Sequence, residues 1–384
     1  MKYLFKKRRH RLLAALLDGV GAFFFIFHRR PEKVLQDARH ILVVRLDHLG
    51  DVLFATALPQ VLKENFSGCR LSFLTSSAGA ALLENNPFVD EVLVYDAPWF
   101  LRAGGACSPK NSYGSVIHRL KQMEIDLALS LRGDLRENFL VFMARAKESV
   151  GYGITGGGFF LTRKLKYRRG VHEREHTQDI LKYLGISRRP LQGRIYFSEK
   201  EEMAFLEKMD ARGISENKDP IGVHLEAGTE AKEWPLESTE KFLSLCAEKF
   251  LMRSLVFVGT DTAHRKILDR FLISNPSLGW KNLIGQTSLR ELLYVIRQCK
   301  LFVGLDSGPT HVAACFGIPT LFLYSGTNDW EEWRSLEENA EFLRHPVPCS
   351  PCHETRCPVQ GHPCMSGIEP ERALRWLEER SRGV

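Results

Sequence analysis

The chain has 384 residues, 44% of them apolar, and a formal charge of +7 at neutral pH. That length exceeds what one hydrophobic core usually serves, so two domains are expected. The positive balance selects anionic partners, but neither basic cluster carries a nucleic-acid recognition motif with interleaved aromatics, so no nucleic-acid partner is expected.

The first cluster, Lys6, Lys7, Arg8, Arg9 and Arg11, leads into Leu12, Leu13, Leu16, Leu17, Val20, Phe23, Phe24 and Phe27, which repeat at helical spacing. The run is shorter than the roughly 20 residues a bilayer span needs, and it contains Asp18. No small-residue cleavage site follows, because His28, Arg29 and Arg30 come next, which argues against a signal peptide. An interfacial helix on an anionic leaflet is the preferred reading for residues 1–38, with a helix packed on the protein itself as the alternative.

Ile41 to Val44 read as a buried strand, followed by Arg45-Leu46-Asp47-His48-Leu49-Gly50-Asp51-Val52 and a helix running to about Asn65. Ligands of doubly wound sheets bind beyond the carboxyl ends of strands, so this turn is a candidate site. Asp51 suits either of two roles, helix cap or general base. A strand over Leu127 to Leu131 precedes Arg132 and Arg136, and Arg163, Lys164, Lys166, Arg168 and Arg169 form the second basic cluster. A charged helical segment from about Ser198 to Ala211 reads as a linker.

A second strand–loop series begins at Ile221 to Leu225. Its loop, Glu226 to Pro235, offers Gly228 for close backbone approach, Thr229 as a hydroxyl donor and Lys232 as a mobile charge for a diphosphate. The strand Leu255 to Val258 ends in Gly259-Thr260-Asp261, where Asp261 suits ribose hydroxyls. Leu301 to Leu305 is followed by Asp306, Ser307, Gly308 and Pro309, the turn and cap residues of a strand-to-helix handover whose first amides bind phosphate. Strand-like runs alternate with helical patterns throughout, which gives an α/β class with parallel sheets covered by helices. The boundaries are 39–197 for the first domain, 198–218 for the linker, 219–365 for the second domain and 366–384 for a closing helix.

Cys349, Cys352, Cys357 and Cys364 are spaced to permit one tetrahedral thiolate site for structural zinc or iron, with free thiols and disulfides as alternatives. The other cysteines read as ordinary core or surface residues.

The stretches VVRLDHLGDVLFATALP, HLEAGTEAKEWP and GLDSGPTHVAACFGIPTLFLYSGTND, in that order, resemble glycosyltransferase family 9, the ADP-heptose:lipopolysaccharide heptosyltransferases. The resemblance covers roughly Arg39 to Arg380. It implies a GT-B fold, two Rossmann-like domains facing across a cleft, with ADP-heptose on the second and the lipopolysaccharide inner-core acceptor on the first. It implies that the closing helix returns to the first domain. Asp51 then matches the family's catalytic base. Thr229, Lys232, Asp306, Ser307, Gly308 and His311 match its donor residues, with Asp261 as the acidic ribose contact. Arg45 stands where members carry a basic residue near sugar or acceptor, and Arg132 and Arg136 become acceptor candidates. His172 and Glu175 resemble an H-x-x-E segment, which a helix cap also explains. The resemblance implies inverting transfer with no cofactor required, in a cytoplasmic protein held peripherally on the inner-membrane surface. Relatives that hold iron carry similar cysteine clusters. Two alternatives stay open: another nucleotide sugar or glycan acceptor, or a non-catalytic sugar-nucleotide-binding protein.

Overall fold

The computed structural model describes residues 8–24, 37–100, 112–214, 219–250, 254–260 and 262–382. The chain divides into two compact units between Tyr196 and Phe197. The first holds β1 (His40–Arg45), β2 (Arg70–Thr75), β3 (Glu91–Val94), β4 (Leu127–Ser130), β5 (Glu148–Gly151) and β6 (Arg163–Lys164). They form one parallel sheet in the order β3-β2-β1-β4-β5-β6. The second unit holds β7 (Ile221–His224), β8 (Leu255–Phe257), β9 (Lys281–Asn282), β10 (Leu301–Leu305), β11 (Thr320–Tyr324) and β12 (Ala340–Arg344). Its parallel order is β12-β11-β10-β7-β8-β9. Counted within each unit, both sheets wind 3-2-1-4-5-6, so each has a switch point, between β1 and β4 and between β7 and β10, where ligands of this architecture bind.

The strands read as unbroken apolar runs because both faces of each sheet are covered. Ile41 and Val43 join one core with Leu71, Phe73 and Leu127, while Leu42 and Val44 join another with Leu74 and Ala128. Successive side chains point to opposite faces, so a doubly covered strand has no polar face to show. In the second unit Val303 and Leu305 join the core of Val223 and Leu323, while Phe302 and Phe322, each one residue before a member of that core, are also fully buried.

One expected helix is two. The segment after β1 forms helices over Leu49–Ala55 and Leu58–Asn65. Pro59 has no N–H to offer the Ala55 carbonyl, and its ring crowds that oxygen. Thr56 turns the chain instead, giving both its N–H (3.2 Å) and its hydroxyl (2.8 Å) to the Leu53 carbonyl.

The expected linker segment forms a helix, Glu199–Ala211, that starts in a capping box between Ser198 and Glu201 and belongs with the second unit. Glu201 pairs with Arg290 at 2.8 Å and Lys208 with Glu291 at 2.5 Å. The expected closing helix spans Pro370–Ser381. Its apolar face, Ala373, Leu374, Trp376 and Leu377, lies in the second unit's own core against the Leu236–Lys249 helix. An amphipathic helix has one such stripe, and here that stripe is already covered. The N-terminal helix spans Arg8–Phe24; Lys6, Lys7 and Phe27 to Arg30 lie outside the described residues.

Candidate active site

In the first unit the chemistry gathers at the switch point. Arg45, the last residue of β1, is buried and binds three carboxylates. Its Nε donates to Asp47 Oδ1 at 2.7 Å, its Nη1 to Glu173 Oε1 at 2.9 Å and its Nη2 to Asp51 Oδ1 at 3.1 Å. Arg132, just past β4, donates from Nη1 to the other Asp47 oxygen at 2.6 Å, and its guanidinium lies 4.6 Å from the centre of the Phe100 ring. Asp51 sits in the first turn of the Leu49–Ala55 helix, which His48 leaves without a side-chain cap. Asp51 Oδ2 makes no hydrogen bond among the described residues.

These carboxylates divide by environment. Burial would raise Asp47, but Arg45 and Arg132 grip both of its oxygens and hold it below the usual carboxylate range. Burial and then the neighbouring Asp47 charge raise Asp51 to about 6, against the pull of Arg45 and Arg132. Glu137, on the Leu135–Met143 helix, is fully buried with both carboxyl oxygens unpartnered, and burial with the Asp47 charge pushes it up to about 8. Neighbouring acids with separated pKa values can take separate roles: Asp47 fixed as an anion, Asp51 a base of intermediate strength, Glu137 neutral.

The second unit's cluster surrounds Asp306, directly after β10. Lys232 Nζ binds its Oδ2 at 2.7 Å, Asn328 Nδ2 donates to the same oxygen at 2.9 Å, and His311 Nε2 lies 3.3 Å from Oδ1. Burial alone would raise Asp306; the Lys232 charge, then His311, overturns this and holds it well below the usual range. The helix Gly308–Cys315 starts without a side-chain cap, because Ser307 Oγ donates backwards to the Leu305 carbonyl at 3.3 Å, as Thr310 Oγ1 does at 2.7 Å. Pro309 has no N–H, so Gly308 and Thr310 supply the first-turn amides beside the Lys232 charge. Gly304 makes this close packing feasible: a Cβ there would fall 2.3 Å from Thr310 Oγ1. Thr229 opens the short 3-10 turn Glu230–Lys232 that carries the lysine.

Arg136 is not in the Arg45 network: it forks onto Asp134, the cap of its own helix, at 2.8 and 3.0 Å and stacks over Trp99. Asp261 lies outside the described residues. Neighbouring Glu226 is the acid that organises that turn, accepting from Thr260 N–H at 2.6 Å and touching Gly259, where a Cβ would meet its carboxylate at 2.0 Å. His172 is a helix cap, accepting from Arg174 N–H at 3.2 Å. Glu175 pairs with Arg188 and Arg168, whereas Glu173 reaches Arg45. Nothing in the sequence ties Glu137 or Glu173 to Arg45; Asp47 and Asn328 lie inside the family motifs, where their spacing from Arg45 and Asp306 is the available signal.

Cys349, Cys352, Cys357 and Cys364 are free thiols that share one small cavity of about 30 Å³ with His362. Among the described residues no three His, Cys, Asp or Glu side chains are arranged to hold a metal ion. The cysteine loop is tied to the segments that carry Lys232 and Asn328: Ala231 N–H donates to the Thr355 carbonyl at 3.0 Å, and the N–H groups of Cys352 and His353 donate to the Gly326 and Thr327 carbonyls at 3.1 and 2.8 Å.

The profile of glycosyltransferase family 9 (heptosyltransferase) matches residues 113–362. The chain belongs to glycosyltransferase family 9. It is thus a transferase of the heptosyltransferase family. Among curated relatives, lipooligosaccharide heptosyltransferase 2 of Campylobacter jejuni is 23% identical over 338 residues, covering 87% of this chain and 96% of the relative. Among solved structures, a family 9 glycosyltransferase from Veillonella parvula aligns with a TM-score of 0.75 at 19% identity, over 90% of this chain and 98% of its own. The E. coli heptosyltransferase WaaC with ADP aligns with a TM-score of 0.68 at 18% identity, over 89% and 99%. These neighbours carry the GT-B fold, so the family 9 fold expected from the motifs is the one this chain adopts.

Proposed function

We propose that the chain transfers heptose from ADP-heptose to the inner core of lipopolysaccharide by a single inverting displacement, with Asp51 as general base. The observation that carries this reading is Asp51 itself: a buried carboxylate, raised to about 6, with one oxygen held by Arg45 and the other available to a hydroxyl. Asp51 takes the proton of the acceptor hydroxyl, whose oxygen forms the new bond to the anomeric carbon. The bond from that carbon to the diphosphate oxygen breaks, and its electron pair leaves with ADP. Lys232 and the Gly308 and Thr310 amides stabilise the charge that grows on the leaving diphosphate. Asp306 keeps Lys232 charged and aimed, and Arg132 and Arg45 offer positive charge to an anionic acceptor. The solved relative named with ADP supports the choice of nucleotide. A lipid-borne acceptor puts the reaction at the cytoplasmic face of the inner membrane.

The deciding experiment is transfer from ADP-heptose to lipopolysaccharide cores truncated at successive sugars, comparing wild type with Asp51→Asn and including a panel of other sugar nucleotides. Transfer to one truncated core, lost in the variant while donor binding persists, is expected. Transfer from another donor only would establish a different sugar-nucleotide specificity, and donor binding without any transfer would make the protein a binding module. Full activity of Asp51→Asn would remove the base from Asp51.

A structural zinc or iron at the four cysteines is a separate proposal, supported by their spacing and by the cavity they line; binding would have to draw the thiols in from their present arrangement, and no catalytic step depends on it. Elemental analysis of the purified chain tests it: about one metal per chain surviving dialysis against chelator supports the site, and a metal-free chain with four titratable thiols at these positions refutes it.

A further inference from the structure

The Arg8–Phe24 helix is docked by a narrow stripe of small residues and one acid. Its buried residues are Ala14, Asp18 and Gly21, at the i, i+4, i+7 spacing of one helix face. Asp18 Oδ1 accepts the Gly157 N–H at 2.8 Å, and a Cβ at Gly21 would lie 2.5 Å from the Phe159 ring, so the fit requires a glycine. Gly156 and Gly157 take positive φ to bring this loop against the helix. On the other side Leu12, Leu13, Leu16, Val20, Phe23 and Phe24 are 50–76% exposed. A helix that ends in water shows the reverse arrangement.

Basic charge lies at the helix start and along the docking loop. Arg8 and Arg9 at the helix start are exposed. The docking loop runs on into β6, and the Lys164 stem lies against Gly158, where a Cβ would fall 2.3 Å from Lys164 Cδ. From there Lys164, Lys166 and Arg168 point outward while Leu165 and Tyr167 pack on the core. Seventeen residues at about 1.5 Å rise each are too short to cross a bilayer, and no helix among the described residues is long and apolar enough to do so. One amphipathic face plus adjacent cations is the pair of signals that stable attachment to an anionic surface needs.

We propose that this helix is a membrane foot. Its Leu/Phe face enters the interfacial layer of an anionic bilayer, Arg8, Arg9, Lys164 and Lys166 engage lipid phosphates, and the Asp18–Gly157 contact holds the first unit in a fixed pose on the surface. The proposal is independent of which sugar is transferred.

Flotation of the full chain with vesicles of phosphatidylcholine alone and with added phosphatidylglycerol tests it. Wild type should float with the anionic vesicles and be released by high salt. Leu16→Glu with Phe23→Glu, both at exposed positions, should cut the bound fraction about tenfold or more while the melting temperature, and any transfer to a delipidated core oligosaccharide, stay unchanged. Lys164→Glu with Lys166→Glu should weaken binding without abolishing it at low salt. No flotation on either vesicle, or flotation indifferent to Leu16→Glu with Phe23→Glu, overturns the proposal. So does a concentration-dependent dimer that these two substitutions dissolve, because the face would then belong to a second copy.

Discussion

A carboxylate of ordinary pKa, about 4, is a feeble base for a sugar hydroxyl, and one raised near neutrality has lost less of its affinity for the proton. Asp51 lies between, at about 6, because burial and the Asp47 charge outweigh Arg45 and Arg132. Activity should therefore fall about tenfold per pH unit below 6, and a pH profile of kcat/KM reads this directly. Asp51→Asn should lose about 10²- to 10⁴-fold in kcat. Its stability should move the other way. A carboxyl raised in the fold favours the native state most at acidic pH and loses that favour as pH rises through 6. Replacing it at pH 7.5 should leave the melting temperature equal to or above wild type. Lys232→Met is the contrasting case. Asp306 is depressed by its lysine, so the pair contributes stability above pH 4 that is lost on acidification. Removing the cation strands a buried carboxylate, at a cost of about 3 kcal/mol at pH 7, along with a large loss of ADP affinity measurable by calorimetry.

At the scale of elements, the glycine inside β10 decides whether the Gly308–Cys315 helix can dock. Gly304 leaves room for Thr310, which caps the Leu305 carbonyl, and the helix start at Gly308 is thereby pressed onto the strand end. Gly304→Val should displace that start and weaken ADP binding by tenfold or more, with transfer reduced in step; unchanged ADP affinity would show that the helix start takes no part in donor binding. Most of this was legible beforehand. The strands at Ile221 and Leu301, the Lys232 loop and the turn at Asp306 lie where the apolar runs and turn residues put them, because buried parallel strands and their caps leave local marks. The break at Thr56 was also written in the sequence, in Pro59, but a helical pattern running through the proline masked it. The partner choices were not legible. Glu173 rather than Glu175 meets Arg45, and Arg136 turns back to Asp134, because which of several charges on a helix faces a given arginine depends on rotation and depth, not on spacing along the chain.

For the whole molecule, buried acids and the buried His176 pull the pH dependence of stability in opposite directions. Glu137 is raised to about 8 and Asp51 to about 6, so between pH 5 and 8 these two groups bind more protons in the native state than in the unfolded chain, whereas His176, lowered to about 4 by burial, binds fewer below about 6.5. On the two acids stability falls as pH rises across that window. Glu137→Gln keeps the shape of the side chain and removes one of the two titrations. Its melting temperature should exceed that of wild type at pH 8 and approach it at pH 5; an identical slope in both proteins would mean that Glu137 is ionised in the fold. The doubly wound architecture, the order of the motifs and membership of the transferase family follow from the sequence, because periodicity, turn chemistry and short motifs are local and survive without coordinates. Only the tertiary structure decided that four carboxylates crowd two arginines at the first switch point, that the closing helix belongs to the second core, and that the N-terminal helix docks through Asp18 with its leucines outward. Those facts depend on contacts between residues far apart in the chain, such as 18 with 157 and 45 with 173, whose separation leaves no periodic trace for a sequence to carry.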